Sequence, residues 1–293
     1  MKQKIIVTGA NGQLGSELKV LSSSLPQYEF VFVTREQLPI DDEKAVNDLL
    51  NTHNPTWLVN CAAYTAVDKA EAEKEQAFRI NGYATGVLAA ACKTIDCRFI
   101  HVSTDYVFDG NGTSPYKEND PVDPLGVYGS SKLEGEKLAM EKNPGSIIIR
   151  TSWVYSEFGK NFVKTMLKLM SERESLNVVN DQVGSPTYAA DLADAILQIV
   201  QYTQINSYPP DTAGIYHYAN TGVISWYDFA TAIKEIAGSK CVVNPIPTSQ
   251  YPTPAKRPSY SVFDTQKIQN TFGIELRSWK DSLRKCISQL QSV

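Results

Sequence analysis

The sequence predicts an α/β fold, a doubly wound parallel sheet that is followed by a smaller, irregular C-terminal lobe. Three observations predict it: apolar runs rich in β-branched residues alternate with helix-like segments, a glycine-rich turn follows the first run, and the alternation loosens after about residue 150. Alternating strands and helices favour right-handed crossovers, and these produce a parallel sheet with helices on both faces.

The predicted strands read, in chain order, KIIVTGA, EFVFVT, TWLVNCAA, RFIHVST and SIIIRTSWVY. They define a first domain at residues 1–150. Later stretches such as DQVGSPTY and NPIPTSQYPTPAKRPSY are rich in Pro, Gly, Tyr and Asn and predict loops, so residues 151–186 and 221–293 are assigned to the second lobe. The stretches AADLADAILQIV and GIYHYAN resemble a helix and a strand, and residues 187–220 are therefore expected to rejoin the first sheet.

Composition and charge exclude several classes of function. The chain has 293 residues, 42% of them hydrophobic, with a net charge of −4 and scattered Lys and Arg residues, which argues against a nucleic-acid partner. No apolar run suits a signal peptide or a membrane span, so a cytoplasmic protein without a membrane partner is expected. Five cysteines without CxxC spacing and three dispersed histidines predict neither a disulfide framework nor a metal site.

The glycine-rich turn TGANGQLG lies directly after the first predicted strand and carries Gly9, Gly12 and Gly15 at GxxGxxG spacing. A helix is predicted to open at about Leu14. Glycines allow a tight turn, and they let a pyrophosphate approach the free N–H groups and the positive dipole end of the helix. Residues 1–150 are therefore predicted to form a dinucleotide-binding domain of the Rossmann type.

The end of the second strand bears on the choice of dinucleotide. An NAD site usually carries Asp or Glu at this point to hold the ribose hydroxyls, whereas here Thr34 and Arg35 follow the strand. A guanidinium suits a 2′-phosphate, so NADPH is favoured and NADH is the alternative. The interpretation of Arg35 as a solvated surface residue stays open.

The stretch VYGSSKLEGEK places Tyr128 four residues before Lys132 on a predicted amphipathic helix. Such residues share a helix face, and an ammonium near a phenol would lower the phenol's pKa from about 10 toward neutrality. Upstream, the strand RFIHVST ends in Ser103 and Thr104, followed by Asp105, at the carboxyl edge where open α/β sheets carry their active sites. A hydroxyl there could bind the carbonyl oxygen that Tyr128 protonates.

Together these motifs resemble the extended short-chain dehydrogenase/reductase superfamily and, within it, the dTDP-4-dehydrorhamnose reductases. The resemblance covers most of the chain. The pieces STDYVFDG, RTSWVY and GKNFVKTM are quite specific to this branch, whereas the glycine turn and YxxxK belong to the superfamily at large. The resemblance implies NADPH-dependent reduction of dTDP-4-dehydro-β-L-rhamnose to dTDP-L-rhamnose, a nucleotide sugar as the bound partner, and a homodimer as a further expectation.

The resemblance also implies three sets of site residues. The catalytic set is Thr104, Tyr128 and Lys132. The resemblance adds further residues to the glycines and Arg35 described above. The complete cofactor set is Gly9, Asn11, Gly12, Gln13, Leu14, Gly15, Arg35, Ala62, Ala63, Tyr64, Tyr128 and Lys132. The substrate set is Val67, Thr104, Asp105, Tyr106, Trp153, Asn161, Gln182 and Arg257. Among them, Arg257 is the best candidate for a diphosphate, because a guanidinium forms a rigid fork of donors.

The chain departs from the family pattern at two points. It reads LPIDD where many relatives read LDITD, so Pro39 replaces an acidic residue near the expected adenine pocket. Some relatives bind a metal through acidic side chains at a dimer contact; Glu17 is present here, but Ala190 stands where a Glu can occur, so no metal is predicted. Asp68 and the run DKAEAEKE are interpreted as a solvated helix face without chemistry.

Two alternatives remain beside the reductase. One is another nucleotide-sugar epimerase or dehydratase of the same superfamily, which would keep a tightly bound NAD. The other is a non-catalytic regulatory subunit that resembles the β subunit of methionine adenosyltransferase. The complete set of Thr104, Tyr128 and Lys132 argues against the regulatory subunit, because such a protein has no chemical need to keep it.

Overall fold

The computed structural model describes residues 2–206 and 212–292. Its first half alternates strands and helices as predicted. In chain order the elements are β1 (Gln3–Thr8), α1 (Gln13–Ser22), β2 (Tyr28–Val33), α2 (Glu43–His53), β3 (Trp57–Asn60), α3 (Val67–Ala70), α4 (Lys74–Phe78), a π-helical turn (Arg79–Tyr83), α5 (Ala84–Thr94), β4 (Arg98–Thr104), a 3-10 turn (Asp105–Val107), α6 (Val127–Lys142) and β5 (Ile147–Thr151).

The second half has shorter strands and longer loops. Its elements are β6 (Val154–Tyr155), α7 (Phe162–Glu172), β7 (Ser175–Val179), β8 (Val183–Gly184), β9 (Thr187–Tyr188), α8 (Ala189–Ile205), β10 (Gly214–Tyr218), β11 (Ile224–Ser225), α9 (Trp226–Ala237), β12 (Val242–Ile246), a 3-10 turn (Thr248–Gln250), β13 (Tyr260–Ser261), α10 (Gln266–Phe272) and α11 (Trp279–Gln291). Within the described residues, no helix is both long and apolar enough to cross a membrane.

Six strands form one parallel sheet in the order β10-β5-β4-β3-β1-β2. Alternate residues of each central strand enter two separate cores, so that Ile5 and Val7 of β1 face one helical layer and Ile6 faces the other. Burial on both faces explains why these strands are continuous apolar runs instead of alternating patterns. The predicted doubly wound α/β sheet is confirmed.

Residues 187–220 contribute α8, which packs on α1, and β10, which pairs with β5 at the edge of the sheet. The helix α10 also packs on β10, and its Ile268 and Phe272 are buried in the core of the main sheet. The expectation that all of residues 221–293 belong to the second lobe is therefore wrong for α10. The helix α10 has only 7 residues and lies between loops, so its apolar periodicity does not reveal that it packs on the main sheet. The rest of the domain division stays a prediction.

The second lobe has a core of its own. The helices α7, α9 and α11 surround this core. The lobe also has two small sheets, one formed by β7 and β12 and the other by β11, β8 and β13. Phe229 of α9 and Leu283 of α11 are fully buried there. This smaller lobe lies beyond the carboxyl end of β5 in the chain, and it supplies one wall of the site described next.

Candidate active site

A cleft of about 860 Å³ opens at the carboxyl ends of β1, β3 and β4. The strand order reverses between β1 and β3, and ligands of open α/β sheets bind at such a point. Of the residues predicted from the sequence, those that line the cleft are Gly9, Asn11, Gly12, Gln13, Leu14, Arg35, Ala62, Ala63, Tyr64, Val67, Thr104, Asp105, Tyr106, Tyr128, Lys132 and Trp153. The fold thus brings most of the predicted cofactor residues and all three catalytic candidates together.

The turn after β1 presents the N-terminus of α1 to the cleft. Gly9 has a φ of 67°, and a Cβ at this position would lie 2.7 Å from the backbone N of Ala62. The helix begins at Gln13, and Gly12 at its N-cap has no side chain to occupy the free N–H groups. A diphosphate fits this cradle. Gly15 lies behind the turn instead of in the cleft, and a Cβ there would overlap the carbonyl of Gly9.

The side chain of Arg35 is exposed at the edge of the cleft, directly after β2. None of the ion pairs formed by the described residues involves its guanidinium. Leu38, Pro39 and Ile40 line the same end of the cleft. The guanidinium of Arg35 suits a 2′-phosphate, and the apolar side chains beside it suit the flat face of an adenine base. No motif in the sequence marks Leu38 and Ile40, because they lie in a loop.

The catalytic candidates converge from two elements. Thr104 ends β4, while Tyr128 and Lys132 lie one turn apart at the start of α6. A Cβ at Gly129 would overlap the carbonyl of Tyr106, so the glycine lets α6 approach the turn after β4 closely. The rings of Tyr106 and Tyr128 meet edge to face with centroids 5.4 Å apart. This packing holds the Tyr128 phenol beside Thr104.

The expected electrostatic coupling of Tyr128 and Lys132 is wrong for this structure. Burial raises the pKa of Tyr128 to about 12; the Thr104 side chain opposes the rise and the Asp105 carboxylate adds to it. The Nζ of Lys132 instead donates to the Val102 carbonyl at 2.7 Å, and burial lowers the pKa of this lysine to about 8. The two side chains share a helix face, but the Lys132 side chain is hydrogen-bonded to β4 instead of to Tyr128. Tyr128 is consequently protonated at neutral pH, as a proton donor must be.

A buried chain of hydrogen bonds supports Lys132 from three adjacent strands. The hydroxyl of Thr8 on β1 donates to Asn60 Oδ1 on β3 at 2.6 Å, and Asn60 Nδ2 lies 3.0 Å from Nδ1 of His101 on β4. Nε2 of His101 then lies 3.1 Å from Nζ of Lys132. No local motif in the sequence marks Asn60 or His101, and the sequence predicts His101 only as part of a strand interior.

The neighbouring residue Ser103 also lines the cleft, but its hydroxyl is bound to a buried ion pair. Its hydroxyl donates to Glu136, which pairs with Arg150 at 2.7 Å, and both charged side chains are 3% exposed. Alternation along β4 therefore turns the Thr104 hydroxyl toward the cleft and the Ser103 hydroxyl toward the core. The structure distinguishes between two hydroxyls that the sequence left side by side.

Asp105 is buried beside Thr104 with one oxygen unused. Its Oδ1 accepts from the Thr104 hydroxyl at 3.0 Å. Within the described residues Oδ2 makes no hydrogen bond of good geometry, but the Ser261 hydroxyl of β13 lies close enough to lower the pKa of the carboxyl. Burial raises the pKa of this carboxyl to about 6. Because buried polar atoms are normally hydrogen-bonded and Asp105 lines the cleft, this oxygen is suited to accept a hydroxyl of a bound ligand.

Trp153 forms part of the opposite wall. Its φ is 49°, an unusual value for a residue with a side chain, and its ring stacks on Trp226 with centroids 3.6 Å apart and planes at 10°. A Cβ at Gly184 would lie 2.8 Å from the ring. The indole is thus held rigidly while it lines the cleft, and it can offer an apolar surface to a sugar.

A second cavity of about 480 Å³ lies between loops of the C-terminal lobe and the segment that joins β4 to α6, and it contains Gln182 and Arg257. The guanidinium of Arg257 is already held by both oxygens of Asp68 on α3, at 3.0 and 2.8 Å. Asp68 also accepts from the backbone N of Ala255, and the guanidinium holds the pKa of the Asp68 carboxyl below its usual range. The interpretation of Asp68 as part of a purely solvated helix face is therefore wrong.

Asn161 is not brought to either cavity. Its Oδ1 caps α7 by accepting from the N–H of Lys164, and its Nδ2 donates to Gln13 Oε1 at 2.9 Å and to the Ser156 carbonyl at 2.7 Å. These partners occupy the amide, so the expected substrate contact is not supported. Nearby, the Ser156 hydroxyl donates to Glu17 at 2.6 Å. Both contacts join α1 to the segment that follows β6.

Comparison with known proteins adds a family. The model described as RmlD substrate binding domain matches residues 3–292. The chain is 43% identical to the spore coat polysaccharide biosynthesis protein SpsK of Bacillus subtilis, covering 99% of this chain and 98% of that protein. It is 42% identical to the dTDP-4-dehydrorhamnose reductase of Aggregatibacter actinomycetemcomitans, covering 96% and 97%. The structure of dTDP-4-dehydrorhamnose reductase from Bacillus anthracis in complex with NADP superposes with a TM-score of 0.93 at 36% identity, covering 99% and 100%.

Proposed function

The chain belongs to the family that the RmlD substrate binding domain describes, and we propose that it reduces dTDP-4-dehydro-β-L-rhamnose to dTDP-L-rhamnose with NADPH. Several relatives about 40% identical over nearly the whole chain are dTDP-4-dehydrorhamnose reductases. The observation that carries the proposal is that Thr104, Tyr128 and Lys132 line the same cleft as the glycine turn. A proton donor and a dinucleotide cradle in one cleft are the two parts that a carbonyl reductase needs.

The residues of the cleft fit NADPH. The turn from Gly9 to Leu14 would hold the diphosphate, Arg35 the 2′-phosphate, and Ala62, Ala63 and Lys132 the nicotinamide side. When bound, NADPH supplies the hydride that C4 of the keto sugar receives. The positive φ of Gly9 and its narrow gap to Ala62 support this assignment, since only a glycine leaves room for the turn itself.

Tyr128 is the proposed acid. Its phenol is protonated at neutral pH and gives its proton to the C4 oxygen, so that one hydride and one proton convert the carbonyl to a hydroxyl. The Thr104 hydroxyl, which now donates to Asp105, lies beside the phenol and is proposed to bind the same oxygen. The resulting phenolate recovers its proton from solvent.

The sugar and its diphosphate are proposed to span both cavities. Asp105 would accept a sugar hydroxyl through Oδ2, and the fixed face of Trp153 would contact the ring. Gln182 and Arg257 in the second cavity would bind the diphosphate or the nucleotide. Arg257 keeps donors beyond those that Asp68 uses, because a guanidinium carries five N–H bonds.

The experiment that tests the proposal mixes the purified protein with dTDP-4-dehydro-β-L-rhamnose and follows nicotinamide absorbance with NADPH and NADH in parallel. Tyr128→Phe is the test variant, and Tyr83→Phe is its control, since Tyr83 is 51% exposed on the π-helical turn and does not line the cleft. We expect oxidation of NADPH, a product heavier by two hydrogens, and a loss of turnover of about 10²–10⁴-fold in Tyr128→Phe alone. NADPH should bind equally well to both variants.

No oxidation with either cofactor would contradict the proposal. A purified protein that retains NAD and interconverts nucleotide sugars without net oxidation would instead indicate an epimerase or dehydratase. Stable capture of a methionine adenosyltransferase without turnover of any keto sugar would indicate the regulatory subunit. The reductase relatives do not favour either alternative.

Two finer points belong to the same proposal. We place the reaction in the cytoplasm, because NADPH and nucleotide sugars are water-soluble metabolites of that compartment. A homodimer stays a prediction, which sedimentation of the purified protein would check.

A further inference from the structure

We propose that Gln76 of α4 recognises the adenine base of the bound dinucleotide: its amide oxygen accepts from the N6 amino group of the base, and its NH₂ group donates to N7. The inference rests on the proposed use of NADPH and names the residue that selects the base. Two observations carry it, the place of Gln76 in the cleft and the state of its amide.

Gln76 lies at the end of the cleft that follows β2. Its side chain lines the cleft together with that of Ile80, which lies about one helical turn later in the π-helical turn. Ile80 packs on the hydrophobic core that contains Leu38 and Ile40, and both of these residues also line the cleft. Gln76 is therefore on the side of α4 that faces the expected adenine pocket.

An ion pair joins the two sides of this pocket. The guanidinium of Arg79, about one turn after Gln76, pairs with the carboxylate of Asp41, which directly follows Ile40. The loop from residue 38 to 41 is thereby tied to the helical segment that carries Gln76. The Asp41 side chain also lines the cleft, but its carboxylate is engaged by Arg79 and is a poor acceptor for a base.

The other side chains of the pocket offer little to the edge of a base. Four of them are apolar; they suit its flat faces but cannot hydrogen-bond, and they are Leu38, Pro39, Ile40 and Ile80. Glu36 is exposed, and a hydrogen bond from the Thr34 side chain lowers the pKa of its carboxyl. The Gln76 amide is left to recognise the edge of the base.

The amide of Gln76 is available for this contact. The residue is half-buried, and its side chain forms no hydrogen bond with any residue that the structure describes. Gln13, which also lines the cleft, differs: its oxygen accepts from Asn161 at 2.9 Å and its nitrogen donates to the Val154 carbonyl at 3.4 Å. A base that enters beside Gln76 covers its amide further, and a covered amide needs hydrogen-bond partners.

The chemistry of a primary amide matches adenine. A glutamine carries an acceptor and a donor side by side, and adenine presents the N6 donor beside the N7 acceptor. Glutamine recognises adenine in DNA through this pair of contacts. Hypoxanthine has an oxygen in place of the N6 amino group, so the same edge offers two acceptors, and one of them would face the Gln76 oxygen. We therefore expect Gln76 to select adenine against hypoxanthine.

The experiment measures equilibrium binding by nicotinamide fluorescence without any sugar present. The two main probes are NADPH and reduced nicotinamide hypoxanthine dinucleotide phosphate. Gln76→Leu is the test variant, and Gln289→Leu is its control, because Gln289 is exposed on α11 and does not line the cleft. Wild type and the control should bind NADPH about tenfold more tightly than the hypoxanthine analogue, whereas Gln76→Leu should bind both equally.

The ratio of the two dissociation constants decides, because leucine adds apolar contact that offsets part of the lost hydrogen bonding. Equal binding of both probes to wild type would overturn the inference, and so would an unchanged preference in Gln76→Leu. A third probe, reduced nicotinamide mononucleotide, lacks the adenine and should bind equally to wild type and Gln76→Leu. Weaker binding of this probe to Gln76→Leu would show that Gln76 supports the cleft as a whole, and would also overturn the inference.

These binding measurements do not depend on turnover. A protein that fails to reduce the keto sugar but loses its adenine preference in Gln76→Leu would contradict the proposed function and support the role of Gln76. A protein that reduces the keto sugar and keeps its adenine preference in Gln76→Leu would do the reverse.

Discussion

The catalytic cleft and the second cavity are both lined by polar side chains, but different parts of the backbone hold them. In the cleft, Thr104 ends β4, and Lys132 is held by contacts with His101 and Val102 of the same strand. In the second cavity, Gln182 and Arg257 come from loops, and Arg257 depends on Asp68 from the first domain. A parallel sheet fixes the positions of its strand ends, whereas a loop is held only by whatever it contacts. We therefore expect changes in the cleft to alter chemistry and changes in the second cavity to alter affinity.

The largest expected effect is at the glycine turn. In Gly9→Ala, the new Cβ would lie 2.7 Å from backbone atoms of Cys61 and Ala62, so we expect NADPH affinity to fall by about 10²-fold or more and the Tm to fall. Gly238→Ala is the matched control, because Gly238 has the same φ of 67° with no atom within 4 Å of its Cβ position. The control should lose about 1–2 kcal/mol of stability and bind NADPH normally, as measured by nucleotide fluorescence. Equal NADPH affinities in Gly9→Ala and Gly238→Ala would contradict the assignment of the glycine turn to the cofactor.

The next effect is at Thr104. Thr104→Val removes the hydroxyl beside the Tyr128 phenol, and we expect kcat to fall by about 10²-fold with a smaller change in the KM for the sugar. Thr203→Val is the control, because that buried hydroxyl donates to carbonyls of its own helix, α8. Steady-state kinetics at saturating NADPH separates kcat from KM. A change confined to KM would mean that Thr104 binds substrate without taking part in the reaction.

A smaller effect, and of a different kind, is expected in the second cavity. Arg257→Gln should raise the KM for the nucleotide sugar by about tenfold with little change in kcat, because it removes a charge that binds substrate and transition state alike. Asp68→Asn should raise KM less, since Arg257 loses its orientation but keeps its charge. Arg284→Gln, an exposed residue paired with Asp281 in its own helix, is the control. If Asp68→Asn lowered KM, Asp68 would be competing with the substrate for Arg257.

The smallest effect on activity is expected outside both cavities, where Glu17 of α1 contacts Ser156 in the segment that follows β6. Burial raises the pKa of Glu17 from 4.5 to about 8, with Glu157 adding to the rise and Ser156 opposing it. The folded chain then holds this proton more tightly than the unfolded chain, so the contribution to stability is complete below pH 4.5 and is lost as the pH rises through about 8.

Glu17→Gln has no proton to lose at this position, so its Tm should fall less than that of wild type between about pH 6 and pH 9. Calorimetry at several pH values measures this difference, and Glu29→Gln, an exposed residue of β2, should follow wild type. Parallel Tm curves for Glu17→Gln and wild type would show that the Glu17 carboxyl is already ionised in the folded protein.

Most of the cleft was predictable because its residues lie at strand ends and in short motifs. The strand KIIVT followed by glycines, and the strand RFIHVST ending in Thr104, specify their positions locally. The pKa of Tyr128 was not predictable in this way. The spacing of Tyr128 and Lys132 describes one helix, whereas the partners of Lys132 lie on β4, 31 and 30 residues earlier in the chain.

By itself, the sequence determined the doubly wound sheet, the glycine cradle, and the family to which the chain belongs, because apolar periodicity and turn residues act over a few neighbours. Only the tertiary structure decided which partner each polar group takes. Lys132 is hydrogen-bonded to β4, Arg257 is paired with Asp68, and the Asn161 amide donates to Gln13. The physical reason is that a hydrogen bond or an ion pair needs a partner within about 3 Å, and for these groups that partner comes from a distant part of the chain.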